Sequence, residues 1–307
     1  MIENMFDKTF LINKLMNSLI SQDFQISLSA GCFDIAARRE YLMLVKSLIN
    51  VDSLDKKQAL NLKAVSYFAS ALPMVVSVKN NRDFMQDDIV YSRFDLPVVT
   101  PNKFDEIIKE NSVEIIKSAK GRHTVKIDIE KMREKRENLG LSQKGLSEIV
   151  GISKKAVYEI ETGRVNPGID TINKIQDALR IGLISKQKFE KNEKPIYLKP
   201  ESEFQKKISK EFSRIGVDNS SLSAAPFEII GKEKYSLITN LSIDEKRSGK
   251  NAKIVKSISS VFASKAVIVS KRTKEENIEG IPVVLESELP EIKNPKELKK
   301  IMEEKSE

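Results

Sequence analysis

The sequence contains a diverged copy of itself, and that constrains its fold more than any residue count does. Moving it by 194 positions lays Leu28-Ser29-Ala30 on Leu222-Ser223-Ala224, Phe33-Asp34-Ile35 on Phe227-Glu228-Ile229, Tyr41 on Tyr235 and Phe10 on Phe204. A shift of 193 lays Leu62, Val65 and Phe68 on Val255, Ile258 and Val261, and Met74-Val75-Val76-Ser77 on Val267-Ile268-Val269-Ser270. After a loop eight residues shorter in the second copy, Leu96-Pro97-Val98-Val99 meets Ile281-Pro282-Val283-Val284. An ordered series with one small indel is hard to reach by chance, so both copies must adopt one fold.

Each copy reads as an α/β unit. An apolar run with helical spacing opens it at residues 10–20 and again at 204–215. Two short strands follow, at 33–36 and 41–48, with counterparts at 227–230 and 235–241. A helix comes next, near 57–70 and 252–263, and then a β-branched run, 74–78 or 266–269, that reads as a buried strand. A Pro-Val-Val strand closes the unit, followed in the first copy by a helix over Pro101–Glu110 started by Thr100-Pro101. Strands alternating with helices argue for a mostly parallel or mixed sheet covered by helices. Residues 190–203, with Pro195 and Pro200 among charges, read as a linker, and the charged tail over 291–307 as a short final helix. The expected division is 1–122, an N-terminal α/β unit; 123–184, a helical domain; 185–203, linker and start of the next helix; and 204–307, the C-terminal α/β unit.

Composition removes several classes of function. Cys32 is the single cysteine and His123 the single histidine, which excludes an internal disulfide framework and any His-rich metal centre and points to a reducing compartment. No catalytic residue, cofactor or metal is expected, and no Gly-rich phosphate loop of the strand–helix type is present. Cys32 reads as a buried small side chain at the start of an apolar strand, and His123 as part of the strand leading into the helical domain. No apolar run approaches the ~18 residues of a membrane span, and the acidic N-terminus is unlike a signal peptide. A cytoplasmic, nucleoid-associated protein without a membrane partner is the expectation. Fifty-two Lys and Arg against 44 Asp and Glu give +8, compatible with a polyanion. With Trp absent, stacking on single-stranded bases is not favoured.

The central segment carries the most specific pattern: Leu139-Gly140-Leu141-Ser142-Gln143, then Leu146 to Val150, Gly151-Ile152-Ser153, and Lys154 through Gly163-Arg164. Ser142 is placed to cap an amphipathic helix with Leu146, Ile149 and Val150 inward. Gly151 sits where the chain must reverse, and Ser153 caps a second helix that turns Ala156, Val157 and Ile160 inward. Two helices joined by a short Gly-containing turn make a helix-turn-helix.

Residues 129–182 resemble the phage-repressor, Cro-like or XRE type of helix-turn-helix domain. That resemblance implies that Lys154–Glu161 is a recognition helix entering the major groove of double-stranded DNA. It makes Ser153, Lys154, Lys155, Tyr158 and Glu159 the base-facing candidates, a lysine donating to guanine and Glu159 accepting from cytosine. It makes Gln143, Arg164 and Asn166 phosphate contacts, and Arg136 with Glu161 an internal ion pair. The order of parts resembles a group of archaeal regulators, through Phe33-Asp34-Ile35, Leu48-Ile49-Asn50-Val51-Asp52 and Asp88-Ile89-Val90-Tyr91.

The flanking copies are also similar to restriction-endonuclease-like folds, which need an Asp on one strand and an Asp/Glu-x-Lys on the next so that carboxylates share a metal. Asp34 fits the first acid and Lys46 the lysine, but Leu44 stands where the second acid belongs. In the second copy Glu228 fits the first position while Ile238-Thr239-Asn240 offers neither acid nor lysine. The implied reading is a non-enzymatic transcription regulator acting as a homodimer on a two-fold symmetric operator, with an effector or protein partner reached through the α/β units. Two other readings stay open: a helix-turn-helix-guided nucleic-acid enzyme and a protein-interaction adaptor.

Overall fold

A computed structural model of the chain describes residues 7–87, 89–110, 113, 114, 116–119, 122–125, 127–165, 167–183, 186, 187, 194–243 and 245–306. It begins with α1 (Lys8–Ile20), β1 (Gln25–Leu28), β2 (Ile35–Arg38), β3 (Leu42–Asn50), α2 (Lys56–Phe68) and β4 (Leu72–Lys79). The middle holds β5 (Tyr91–Arg93), β6 (Leu96–Val99), α3 (Pro101–Glu110), β7 (Val113–Glu114), β8 (Ile116–Ala119) and β9 (Arg122–Val125). The helices α4 (Ile129–Asn138), α5 (Gln143–Val150), α6 (Lys154–Glu161) and α7 (Ile169–Leu179) follow, then β10 (Lys186–Gln187). The last part is α8 (Glu203–Arg214), β11 (Asp218–Ser221), β12 (Ile229–Lys232), β13 (Ser236–Ser242), α9 (Glu245–Phe262), β14 (Lys265–Ser270), β15 (Asn277–Ile278), β16 (Ile281–Leu285) and α10 (Pro295–Glu304). Mixed α/β sheets thus precede and follow a helical region. By contacts the chain forms two compact units, Met1–Phe84 with Glu190–Glu307, and Met85–Phe189.

The repeat in the sequence is a repeat in the ladders. Ile35 pairs with Val45 across β2 and β3, and Ile229 with Thr239 across β12 and β13, the same register at a shift of 194. The parallel step runs Met43 to Leu72 in one copy and Leu237 to Lys265 in the other, which puts a one-residue indel between β3 and β4. A second lies in the loop after β1, because Leu28 pairs with Ile35 but Ser221 with Ile229, so Leu28 is equivalent to Ser221 rather than to Leu222. Strands β3 and β4 are almost wholly buried, as strands covered on both faces must be. Helix α1 buries Leu11, Leu15 and Leu19, spaced by four, and α8 buries Phe204, Ile208 and Phe212 in the same way, so Phe204 corresponds to Leu11 and not, as the sequence alignment has it, to Phe10, which faces solvent. The C-terminal core gathers these with Ile229, Val267, Val269, Val284, Leu298 and Met302.

The two copies pack on each other through equivalent surfaces. Helix α9 lies on β1 and β2, and its counterpart α2 lies on β12. Arg38 donates to the carbonyls of Val261 and, at 2.6 Å, Phe262. Lys232, its equivalent, donates to Ser70 Oγ at 2.8 Å, and Ser236 Oγ donates to the Phe68 carbonyl at 2.7 Å. Reciprocal contacts of this kind define an internal pseudo-two-fold, the geometry of an isologous dimer within one chain.

At that pseudo-axis equivalent loops meet. The Cys32 amide donates to the Ala224 carbonyl, and Asn61 Oδ1 accepts from the amides of Ser223 (2.8 Å) and Ala224 (3.2 Å). Gly31 has φ +125, and a Cβ there would run into the Ala224 carbonyl. We therefore expect Gly31→Ala to lower unfolding stability by roughly 1–3 kcal/mol through overpacking and backbone strain. An unchanged denaturation midpoint would contradict this account of the contact.

Two sequence expectations change here. Cys32 lies in the loop before β2 rather than at the start of a strand, because the ladder begins only at Ile35. It is buried, as expected, and burial pushes its thiol up to about 12. The native protein should accordingly resist alkylation near pH ~8, where thiolates are the reactive form, and label fully in denaturant; rapid native labelling would count against that burial. Also, β1, β5, β11 and β15 are strands that the sequence pattern does not signal.

Candidate nucleic-acid interface

The helix-turn-helix is built from local signals. Ser142 Oγ accepts from the Gly145 amide at 3.0 Å and starts α5. Gly151, at φ 76, ends it in the left-handed conformation that glycine adopts without strain. Ser153 Oγ then accepts from the Ala156 amide at 3.0 Å and starts α6. Val157 and Ile160 of α6 are buried together with Leu146 and Val150 of α5.

Ile149 is a correction: it is 59% exposed rather than inward. On so short a helix the buried stripe runs through Leu146, Ser147 and Val150, and at 100° per residue Ile149 falls off its edge.

Glu161, at the end of α6, joins three helices. Its Oε1 accepts from Arg136 Nε of α4 at 2.6 Å and its Oε2 from Gln143 Nε2 of α5 at 2.7 Å. Arg136 and Glu161 are both buried, at 7% and 2% exposure, and Arg136 Nη1 also donates to the Leu141 carbonyl at 2.7 Å. The hydrogen bonds to Glu161 hold the Arg136 guanidinium more firmly protonated than usual. Arg133 adds a bond to the Glu161 carbonyl at 2.8 Å. The expected internal ion pair is therefore present, and it fixes the angle of α6 against α4 and α5.

What α6 leaves outside is polar. Ser153, Lys154 and Lys155 are exposed at its N-terminus, and Tyr158 follows one turn later at 42% exposure. Lys155 Nζ lies 3.8 Å from Glu159 Oε1 with most of its side chain in solvent, a weak pair that leaves the ammonium available. The Arg164 guanidinium sits over the Tyr158 ring at 5.4 Å, which holds both side chains beside α6. Gln143 opens α5 as expected, but its amide is turned inward to Glu161. Asn166 lies outside the described residues, as does Asp88. His123 lies in β9 by its backbone. The sequence reading passes over Lys144, which is exposed on the first turn of α5.

The α/β copies hold acids at equivalent places, Asp34 buried and Glu228 half-buried. Asp34 Oδ2 accepts from the Ser47 amide (2.8 Å) and hydroxyl (3.0 Å), while its Oδ1 takes Lys8 Nζ at 2.8 Å and Lys46 Nζ at 3.4 Å. Glu228 Oε2 accepts from the Leu241 amide at 2.8 Å and from Asn240 Nδ2 at 3.1 Å. The metal such a fold employs does not fit here. Two ammonium groups occupy Asp34 Oδ1, and the neighbouring position on β3 is the apolar Leu44. Among the described residues no cluster of three His, Cys, Asp or Glu could hold a metal ion, and no helix is long and apolar enough to cross a membrane.

These geometries agree with two family models. Residues 132–184 match the model described as helix-turn-helix, and residues 8–113 match a PD-(D/E)XK superfamily domain. The middle of the chain is thus a repressor-type helix-turn-helix domain, and residues 8–113 have a restriction-endonuclease-like fold, whose strand order the C-terminal copy repeats. Across its whole length the chain is similar to archaeal proteins named "Putative HTH-type transcriptional regulatory protein". One from Pyrococcus furiosus is 28% identical, with 96% of each chain covered. Those from Methanothermobacter thermautotrophicus and Methanocaldococcus jannaschii are also 28% identical, again with 96% of each chain covered. No solved structure matches.

Proposed function

We propose that the protein is a sequence-specific regulator of transcription that binds double-stranded DNA through α6. The observation that carries this reading is the exposed N-terminal face of α6, with Ser153, Lys154, Lys155 and Tyr158 directed outward from a bundle locked by Arg136 and Glu161. Lys154 and Lys155 donate to guanine edges, Glu159 accepts from cytosine, and Arg164 and Asn166 hold phosphates. Gln143 contributes its backbone amide at the start of α5, and Lys144 beside it is a further phosphate contact. The names of the archaeal relatives support the same role.

A single domain of this size covers only a half-site, so two chains bind one two-fold symmetric operator. The body carrying Asp34 and Glu228 serves as scaffold and sensor rather than as a nuclease, because its acid positions are tied to lysines or lack their partners. Selection from a random duplex pool tests the proposal: an enriched motif with two inverted half-sites, bound by two chains, is expected. Absence of any enriched motif would overturn it. The nuclease alternative predicts divalent-metal-dependent cleavage lost in Asp34→Asn, and cleavage of that kind would reverse the non-enzymatic assignment.

A further inference from the structure

The two copies differ in what surrounds their equivalent acids. In the N-terminal copy Asp34 meets Lys8, Lys46 and the Ser47 hydroxyl, so its charge is compensated on the spot. The strand register puts Asn240 at the place of Lys46 and Leu241 at that of Ser47, and the helix register, shifted by 193, puts Glu201 at the place of Lys8. The acid survives as Glu228 but both cations are gone, and among the described residues nothing forms an ion pair with it. Burial pushes its carboxyl up from the ordinary carboxylate range.

Glu228 lines a cleft of about 330 Å³ within the C-terminal copy. Phe204, Leu241 and Ile243 give it apolar walls, and Glu201, Ser202 and Ser223 polar ones. The floor is fixed: Gln205 Nε2 donates to the Leu222 carbonyl at 2.8 Å and to the Glu228 carbonyl at 2.6 Å, and its Oε1 accepts from the Glu201 amide at 2.7 Å. Among the described residues Lys57 pairs with Glu201 at 2.5 Å and Lys271 lies over the Phe204 ring at 4.8 Å, and neither forms an ion pair with Glu228. Capping the Leu241 amide needs only one oxygen acceptor, which an uncharged glutamine would supply equally. A largely desolvated carboxylate with no ion-pair partner among the described residues is costly unless a ligand brings a cation.

We propose that this cleft binds a small organic ammonium compound, with its cationic nitrogen on Glu228 and its apolar body against Phe204, Leu241 and Ile243. The volume is at the low end for small-molecule sites, which selects a compact ligand. The cleft would thus have become a binding pocket in the copy that lost its lysines, while Lys8 and Lys46 fill the corresponding place in the other. Nothing in this inference depends on DNA binding, so its failure leaves the proposed regulator intact.

Calorimetric titration of the full-length protein tests it, with phenethylamine and putrescine as cationic probes and phenethyl alcohol as the uncharged match. Saturable binding of an amine below about 10 mM, at least tenfold tighter than the alcohol, is expected. Glu228→Gln, which can still cap Leu241, should lose that binding, whereas Asp34→Asn should keep it. Ile243 is 61% exposed, so Ile243→Lys adds a competing ammonium at the rim without disturbing the core and should also abolish binding. No saturable binding of either amine, equal binding of the alcohol, or unchanged amine binding by folded Glu228→Gln would each overturn the proposal.

Discussion

Glu161→Ala is expected to destabilise the helix-turn-helix domain by about 3–5 kcal/mol, the usual cost of removing one partner from a buried ion pair. The cost arises chiefly on the side that remains. Arg136 is 7% exposed, and without Glu161 its guanidinium keeps only the Leu141 carbonyl and the rim contact to Glu137. Gln143 loses its acceptor as well. Because Glu161 joins α4, α5 and α6, amide hydrogen exchange should rise throughout residues 129–161, while the buried amides of β3 and β4 stay protected. Exchange in α4–α6 matching the unmodified protein would mean that apolar packing alone orients the recognition helix.

The double variant Lys154→Ala with Lys155→Ala should lose roughly a hundredfold or more in affinity for its preferred duplex, taking each direct contact as worth about 1–3 kcal/mol. Both side chains are exposed, and Ser153 still caps the helix, so circular dichroism and thermal stability should not move. If the lysines also neutralise phosphates, the slope of log affinity against log salt becomes shallower by about one per lost contact. This pairing of lost affinity with retained fold separates a contact surface from a merely solvated helix start. An affinity within twofold of the unmodified protein would remove the recognition role from this face.

Much of this architecture was legible because it rests on local chemistry. Ser142, Gly151 and Ser153 each do in the structure what capping and positive-φ preferences demand, and Arg136 meets Glu161 as the resemblance implies. The repeat was legible because Phe, Ile and Val recur at buried positions of both copies. Elsewhere the signal was absent. The strand β11 reads Asp218-Asn219-Ser220-Ser221, with no apolar residue, yet Asn219, Ser220 and Ser221 are buried. Asn219 is satisfied there by Ser209, Ser213 and Val217 across the α8 boundary, a tertiary network that no periodicity encodes. Ile149 was misread because an eight-residue helix offers too few turns to locate the centre of its apolar stripe.

A shift of 194 lays Arg38 on Lys232, but it does not reveal that each reaches across to the other copy's helix end. Equivalence along a chain says nothing about which equivalent surfaces meet. Nor could the spacing around Gln143 tell that its amide turns inward to Glu161, since that depends on where α6 ends relative to α5.

The central claim is most directly tested by a fluorescence-anisotropy titration of the full-length protein on a genomic duplex spanning its own promoter, against a scrambled competitor at two salt concentrations. Promoter-selective binding that weakens steeply with salt, and is lost in the double lysine variant, is the predicted result. Equal, weak binding to both duplexes, unchanged in that variant, would contradict the account and leave the helix-turn-helix as a scaffold for protein contacts.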